Sequence, residues 1–158
     1  MSEITVTCET KTILTSPGLG SCLGVCFFDP LNHVSGLVHI VLPDSTKTTK
    51  NNNTFKPGKY VNTAIPEILN QLQKKGARKS NLIVKVAGGA SMFKSIVNKP
   101  SSFNIGEKNF EALISIFQNL KIDIESYDVG GNTGRTVSLC CDDGSVYVKT
   151  SNSEPKMI

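Results

Sequence analysis

The sequence predicts an α/β fold, namely a layered sandwich with a mixed β-sheet and two main helices. β-rich segments and two segments with apolar residues at helical spacing follow one another in a mixed order, which favours layered α/β architecture. The first two of the long β-rich segments are apolar on both faces. This pattern is typical of a sheet that is covered on both sides.

The N-terminal third predicts the first strands and a hairpin. Residues 4–14 alternate loosely and predict an edge strand, and the Pro- and Gly-rich residues 16–21 predict a turn. Residues 22–28 and 34–42 are β-rich, and Asp29-Pro30 between them is typical of a turn. The two segments therefore predict a β-hairpin.

The remainder of the chain predicts both helices and the later strands. Residues 60–75 and 106–120 have the apolar spacing of amphipathic helices, and Gly76 ends the first of them. The polar residues 44–59 predict a long surface loop. Further strands are predicted at residues 82–87 and 122–129, and a second hairpin at residues 136–141 and 145–149.

Length and composition limit the possible classes of protein. A chain of 158 residues has room for one domain, which we predict at residues 1–149, followed by a disordered tail at 150–158. Hydrophobic residues make up 39% and charged residues 19%, which excludes an intrinsically disordered chain. The net charge of +4 is mild, arginine occurs only at Arg78 and Arg135, and tryptophan is absent. These features argue against nucleic-acid binding.

The cysteines and the glycine motifs limit the location and the cofactors. Five cysteines cannot all pair within one chain, no apolar run approaches the roughly 20 residues that span a bilayer, and the N-terminus has no export pattern. We therefore predict a cytoplasmic protein with free thiols. The glycine pairs that follow predicted strands match no phosphate-binding motif, so no cofactor is predicted.

One cysteine and one histidine are candidates for catalysis. A hairpin that turns at residues 30–31 places Cys22 directly opposite His39, with their Cβ atoms ~4.5–5.5 Å apart. A slip of one residue would put the two on opposite faces. A neighbouring imidazole lowers the pKa of a thiol and later returns the proton to a leaving group. Cys22 and His39 are therefore predicted to be the catalytic pair.

The bend before Cys22 supplies further candidates. Ser16 precedes Cys22 by six residues, and a hydroxyl that folds back would orient the imidazole. The backbone N–H of Cys22 and the backbone of its neighbours Gly20 and Ser21 would stabilise an oxyanion.

Other interpretations of these residues remain open. Buried cysteines usually serve as small apolar residues, which is the role expected for Cys8, Cys26, Cys140 and Cys141, while His33 is expected in a turn. A zinc site on Cys22, Cys26 and His39 is disfavoured, since residues four apart in a strand lie roughly 13 Å apart.

Several motifs then occur in order along the chain. They are GLGSC at 18–22, VHIVLPDS at 38–45, KY at 59–60 with TAI at 63–65, AGGASMF at 87–93, NIG at 104–106 with Asn109, and Asp128 with GGN at 130–132. Together they resemble the chemotaxis receptor glutamine deamidase family, CheD, from about Ser16 to Val148.

The resemblance implies a fold, an activity and partners. The implied fold is an α/β sandwich similar to that of deamidating bacterial toxins with a Cys–His pair. The implied activity is hydrolysis of receptor glutamine side chains to glutamate and ammonia through a thioester, and some members also hydrolyse receptor methyl esters. Methyl-accepting chemotaxis receptors are the implied substrates, and a CheC-type phosphatase is a further implied partner.

The resemblance also assigns roles to individual residues. Cys22 falls on the nucleophile and His39 on the catalytic histidine, while Ser16 stands where the family has threonine. Serine keeps the hydroxyl, but Pro17 follows where the family usually has leucine, and proline restricts the residue before it. Two alternatives therefore stay open: a binding module that mainly stimulates a phosphatase, and a cysteine-dependent amidase or thioesterase with another substrate.

Overall fold

The computed structural model describes residues 2–46, 55–91, 104–151 and 153–158. These residues form nine strands and two α-helices, together with short 3-10 helices at Pro57–Lys59 and Lys79–Asn81. The strands are β1 (Ile4–Thr7), β2 (Ile13–Leu19), β3 (Leu23–Asp29), β4 (Val34–Ile40), β5 (Ile83–Gly88), β6 (Ser126–Val129), β7 (Arg135–Cys140), β8 (Val146–Thr150) and β9 (Lys156–Met157), and the helices are α1 (Val61–Lys74) and α2 (Ile105–Leu120).

The central layer is a five-stranded sheet in the order β1-β4-β3-β5-β6. Its neighbouring strands are antiparallel except β5 and β6, which are parallel, so the predicted mixed sheet is confirmed. Helices α1 and α2 cover one face of this sheet. Alternate residues of β3 pack against them, including Leu23, Val25 and Phe27, all without solvent exposure.

A second sheet covers the other face, in the order β2-β7-β8-β9. The apolar residues between the two sheets include Leu19, Cys26, Leu37 and Val137. Every residue of β3 and β4 is buried, which confirms a sheet covered on both sides. Burial instead alternates along β7, because only one face of the second sheet is packed. The layers are therefore helix, sheet and sheet.

The N-terminal segment differs from its prediction. Residues 4–14 do not form one edge strand, since β1 joins the first sheet and β2 joins the second. Residues 16–19, predicted as part of a turn, belong to β2, with a register shift between Ser16 and Leu19. Pro17 has no N–H for a ladder, and Gly18 has a φ of 69°, so a bulge fits both residues into the strand.

The C-terminal residues also differ from their prediction. Residues 150–158 were expected to be disordered, but β9 pairs with β8 and the backbone N–H of Ile158 donates to the Val146 carbonyl over 2.9 Å. Lys85 Nζ donates to the Ile158 backbone oxygen over 2.8 Å. The segment is therefore attached to β8 at the edge of the second sheet and to Lys85 of the central sheet. Among the described helices, none is long and apolar enough to cross a membrane.

Candidate active site

Cys22 and His39 lie on the same face of the central sheet, towards the second sheet. Leu23 pairs with Ile40, and Gly24 pairs with His39. The register is thus shifted by two residues from the prediction, so Cys22 is diagonal to His39 and not directly opposite. A shift of two preserves the face. Diagonal neighbours are ~7–8 Å apart, a separation that a long side chain such as imidazole can span.

The hairpin turn explains this shift. Strand β3 ends and β4 begins with the pair Asp29 and Val34, so the loop of residues 30–33 is centred between Leu31 and Asn32, one residue later than the predicted turn at residues 30–31. The Asp29 carboxylate accepts the backbone N–H groups of Leu31 and Asn32, each over 3.0 Å, and His33 has a φ of 49°. An Asx-type turn closed by a left-handed residue therefore sets the register.

Ser16 approaches His39 from the opposite sheet. Its Oγ lies 2.9 Å from His39 Nδ1, and both residues are buried. Ser16 pairs with Val137 in β2, so this hydrogen bond crosses the space between the sheets. Pro17 restricts Ser16 to extended backbone, which is the conformation that a strand requires. The serine and proline at these positions are therefore compatible with the contact.

Gly24 allows the two sheets to approach each other next to His39. A Cβ atom at Gly24 would lie 2.7 Å from Val137 Cγ1 and 2.9 Å from Leu19 Cδ1, both in the second sheet. Real Cβ atoms do not approach carbon atoms that closely, so a side chain here would displace those of Val137 and Leu19. The absence of a side chain at Gly24 thus helps Ser16 to reach the imidazole.

Burial makes both catalytic candidates neutral at rest. It raises the pKa of the Cys22 thiol above the ordinary value of 9.0 and lowers the pKa of His39 below 6.5. The expectation that the imidazole lowers the thiol pKa is not met, because desolvation dominates. His39 Nε2 is buried and has no hydrogen-bond partner among the described residues. Because Nδ1 is hydrogen-bonded to Ser16, Nε2 is the ring nitrogen that can accept a proton from Cys22.

Cys26 shows why Cys22 is the better nucleophile candidate. It lies on the same face of β3, but it is 1% exposed and burial raises its pKa to about 12. A thiol with that pKa is inert at neutral pH. Within the described ranges, no three His, Cys, Asp or Glu side chains cluster closely enough to hold a metal ion.

Hydrogen bonds to three successive carbonyls hold the turn before Cys22. The Gly20 carbonyl accepts from Ala90 N–H over 2.8 Å, and the Cys22 carbonyl accepts from Gly89 N–H over 2.8 Å. The Ser21 carbonyl accepts from Asn109 Nδ2 over 2.9 Å. Because all three carbonyls are hydrogen-bonded to other segments, the backbone next to the Cys22 thiol is held in a fixed position.

The same turn revises one candidate for the oxyanion site. Gly20 N–H donates to the Gly18 carbonyl over 3.1 Å, so it is occupied, because the chain turns tightly there. The N–H groups of Ser21 and Cys22 donate to no backbone carbonyl of the described residues, and the Cys22 N–H faces its own thiol. The candidate donors are therefore Ser21 and Cys22, and Gly20 supports them through its carbonyl.

The glycine loops next to this turn are joined to each other. Ser91 N–H donates to the Gly131 carbonyl over 2.8 Å, and Gly130 N–H donates to the Gly88 carbonyl over 2.9 Å. Arg135 is buried and donates to Asp128 and to the loop carbonyls beyond it. Residues 88–91 and 130–135 thus form one unit next to this turn. Residues 47–54, from the surface loop predicted at 44–59, and residues 92–103 lie outside the described residues.

Sequence reasoning assigned no role to Asn109, Gly24 or Arg135. Asn109 has no solvent exposure and lies four and eight residues before the buried Leu113 and Phe117. A polar residue at the spacing of an apolar helix stripe was the available signal. Nothing comparable marked Gly24, because its importance depends on residues of another sheet.

Comparisons with known proteins show similarity along the chain. A family model described as "CheD chemotactic sensory transduction" matches residues 41–150. The probable chemoreceptor glutamine deamidase CheD of Caldanaerobacter subterraneus is 42% identical over 158 residues, covering 100% of this chain and 94% of its own length. The protein of that name from Methanococcus maripaludis strain S2 is 42% identical over 158 residues, covering 100% and 96%. That of Clostridium novyi is 38% identical over 150 residues, covering 95% and 90%.

Proposed function

The chain belongs to the CheD family, and we propose that it performs the family's reaction with Cys22, His39 and Ser16. The reaction is hydrolytic deamidation of glutamine side chains on chemoreceptors, which yields glutamate and ammonia. The observation that carries the assignment of residues is the Ser16–His39 hydrogen bond between two sheets, with Cys22 on the same face. Mass spectrometry of a receptor cytoplasmic fragment, incubated with the protein, tests the activity by the mass change at each glutamine.

The first half of the reaction forms a thioester and releases ammonia. Cys22 Sγ attacks the glutamine Cδ while the thiol proton passes to His39 Nε2. The carbonyl oxygen becomes an oxyanion, which the N–H groups of Ser21 and Cys22 stabilise. His39 then gives its proton to the amide nitrogen, the C–N bond breaks, and ammonia leaves.

The second half restores the enzyme. His39, neutral again, takes a proton from water as that water attacks the thioester carbonyl. The tetrahedral intermediate collapses with cleavage of the C–S bond, and His39 returns the proton to Cys22 Sγ. The products are a glutamate side chain and the free thiol. No cofactor takes part in these steps.

Ser16 orients the imidazole for both halves. A neutral imidazole has one N–H and one lone pair. When Nδ1–H donates to Ser16 Oγ, the lone pair lies on Nε2. This is the nitrogen that can accept the proton from Cys22. The hydroxyl thus selects the useful tautomer and fixes the ring.

Removal of this hydroxyl is expected to slow the reaction without stopping it. Ser16→Ala loses one buried hydrogen bond of about 1–2 kcal/mol, so kcat should fall about 5–30-fold. Ser16→Thr keeps the hydroxyl and should retain most activity. Thr15→Ala is the matched control, because Thr15 is the preceding residue and its hydroxyl bonds Ser138 over 3.0 Å. Ammonia release from receptor measures all three. Equal rates for Ser16→Ala and Thr15→Ala would contradict this role.

Because Cys22 and His39 are both neutral in the resting enzyme, the pH dependence of kcat/KM can be predicted. His39 must be unprotonated to accept the thiol proton, and its pKa lies below 6.5, so kcat/KM should fall only as the pH drops below 6.5. The thiol pKa lies above 9.0, so no second decline is expected below that pH. Rates of ammonia release across the pH range check the decline below pH 6.5 and the absence of a second decline up to pH 9.0. A decline between pH 7 and 9 would indicate a thiolate–imidazolium pair instead.

Location and partners follow from family membership. We propose that the protein acts in the cytoplasm on methyl-accepting receptors and that a CheC-type phosphatase binds it. The alternative of a binding module that mainly stimulates a phosphatase was motivated by Ser16 and Pro17, yet these residues leave the hydrogen bond to His39 in place. A catalytically inactive Cys22 variant that still binds the phosphatase would separate the two functions.

A further inference from the structure

We propose that Asn109 is a positioning residue that fixes the turn carrying Cys22 relative to the strand carrying His39. The proposal rests on the catalytic roles given above to these two residues. Asn109 lies in the first half of α2, has no solvent exposure, and belongs to neither of the two segments it joins.

A single amide group of Asn109 joins both segments. Its Nδ2 donates to the Ser21 carbonyl over 2.9 Å and to the Val41 carbonyl over 3.0 Å. Ser21 immediately precedes Cys22, and Val41 follows His39 by two residues. Because the two hydrogens of one planar –NH2 group have fixed directions, the two carbonyls are held at a set separation.

The orientation of this amide is determined by its partners. Flipping the amide would turn Oδ1 towards two carbonyl oxygens, which cannot donate. In the observed orientation, Oδ1 is buried and has no hydrogen-bond partner among the described residues. A buried acceptor without a donor lowers stability. Stability alone therefore does not account for an asparagine at this position. Both of its N–H donors, in contrast, form hydrogen bonds next to the catalytic pair.

A close contact between backbones places Asn109 beneath the turn. A Cβ atom at Gly106 would lie 2.3 Å from the Gly89 carbonyl oxygen, so only glycine allows the first turn of α2 to come so near. Gly89 N–H in turn donates to the Cys22 carbonyl. Helix α2 therefore meets the catalytic turn at two points, through Gly89 and through the Asn109 amide.

Asn109→Leu tests the proposal, since it keeps the size of the side chain and removes both donors. We expect kcat for receptor deamidation to fall about 10–100-fold with KM within about twofold, because misplacement of reacting groups reduces the rate at bound substrate. Leu113→Ala is the matched control: it lies one turn later on the same buried face, and its loss destabilises α2 while both Asn109 hydrogen-bond donors remain. Thermal unfolding confirms that both variants are folded at the assay temperature.

The outcomes separate this proposal from the catalytic assignment. A kcat within twofold of wild type in Asn109→Leu would overturn the proposal, and so would an equal loss of kcat in Leu113→Ala, which would point to general destabilisation. If Asn109→Leu fails to fold, Asn109→Ala takes its place with the same expected split between kcat and KM. Activity in Cys22→Ala would refute the catalytic roles themselves, whereas an inactive Cys22→Ala with a fully active Asn109→Leu would refute only the positioning role.

Discussion

Cys22→Ala is expected to abolish receptor deamidation while the protein stays folded. Without the thiol no thioester forms, and the loss of a nucleophile costs about 10⁴-fold or more in kcat. The cost in stability should be about 1 kcal/mol, because only one sulfur atom is removed from a partly packed position. Ammonia release and the receptor mass spectrum report activity, and thermal unfolding reports the fold.

Cys26→Ala is the matched control for this variant. It removes the same kind of atom from the same face of the central sheet, four residues further on, inside β3. We expect its activity to remain within about twofold of wild type at a temperature where it is folded, since its burial makes it inert. Deamidation by folded Cys22→Ala would refute the proposed nucleophile.

His39→Asn is expected to lower kcat about 10²–10⁴-fold, which is the usual contribution of a general acid–base group. The asparagine amide takes the place of the Nδ1 side of the ring, so it still has a hydrogen-bonding group for Ser16. It has no titratable nitrogen to exchange protons with Cys22. Residual activity should also lose the decline in acid that His39 causes, and rates measured below and above pH 6.5 check this.

His33→Asn is the control for this histidine. His33 is the other histidine of the chain, is exposed, and has a φ of 49° in the hairpin turn. Asparagine tolerates this left-handed conformation well. Stability and kcat should therefore both stay near wild type. A His39→Asn variant with the activity of His33→Asn would mean that some other group moves the proton.

Patterns within short segments predicted much of this molecule. Apolar spacing located α1 and α2, and burial on both faces of β3 and β4 followed from their composition. The same hairpin brought Cys22 and His39 to one face. The register was wrong by two residues, because the turn that the Asp29 carboxylate holds is centred one residue later than the predicted residues 30–31.

The sequence by itself determined both helices, the covered sheet and the common face of Cys22 and His39, since helical spacing, strand alternation and turn chemistry act between neighbouring residues. Only the tertiary structure decided how that pair is completed. Ser16 reaches His39 from another sheet, and Asn109 reaches Ser21 across 88 positions of the chain. The direction of the thiol pKa was likewise decided there, because desolvation depends on how the two sheets pack around Cys22.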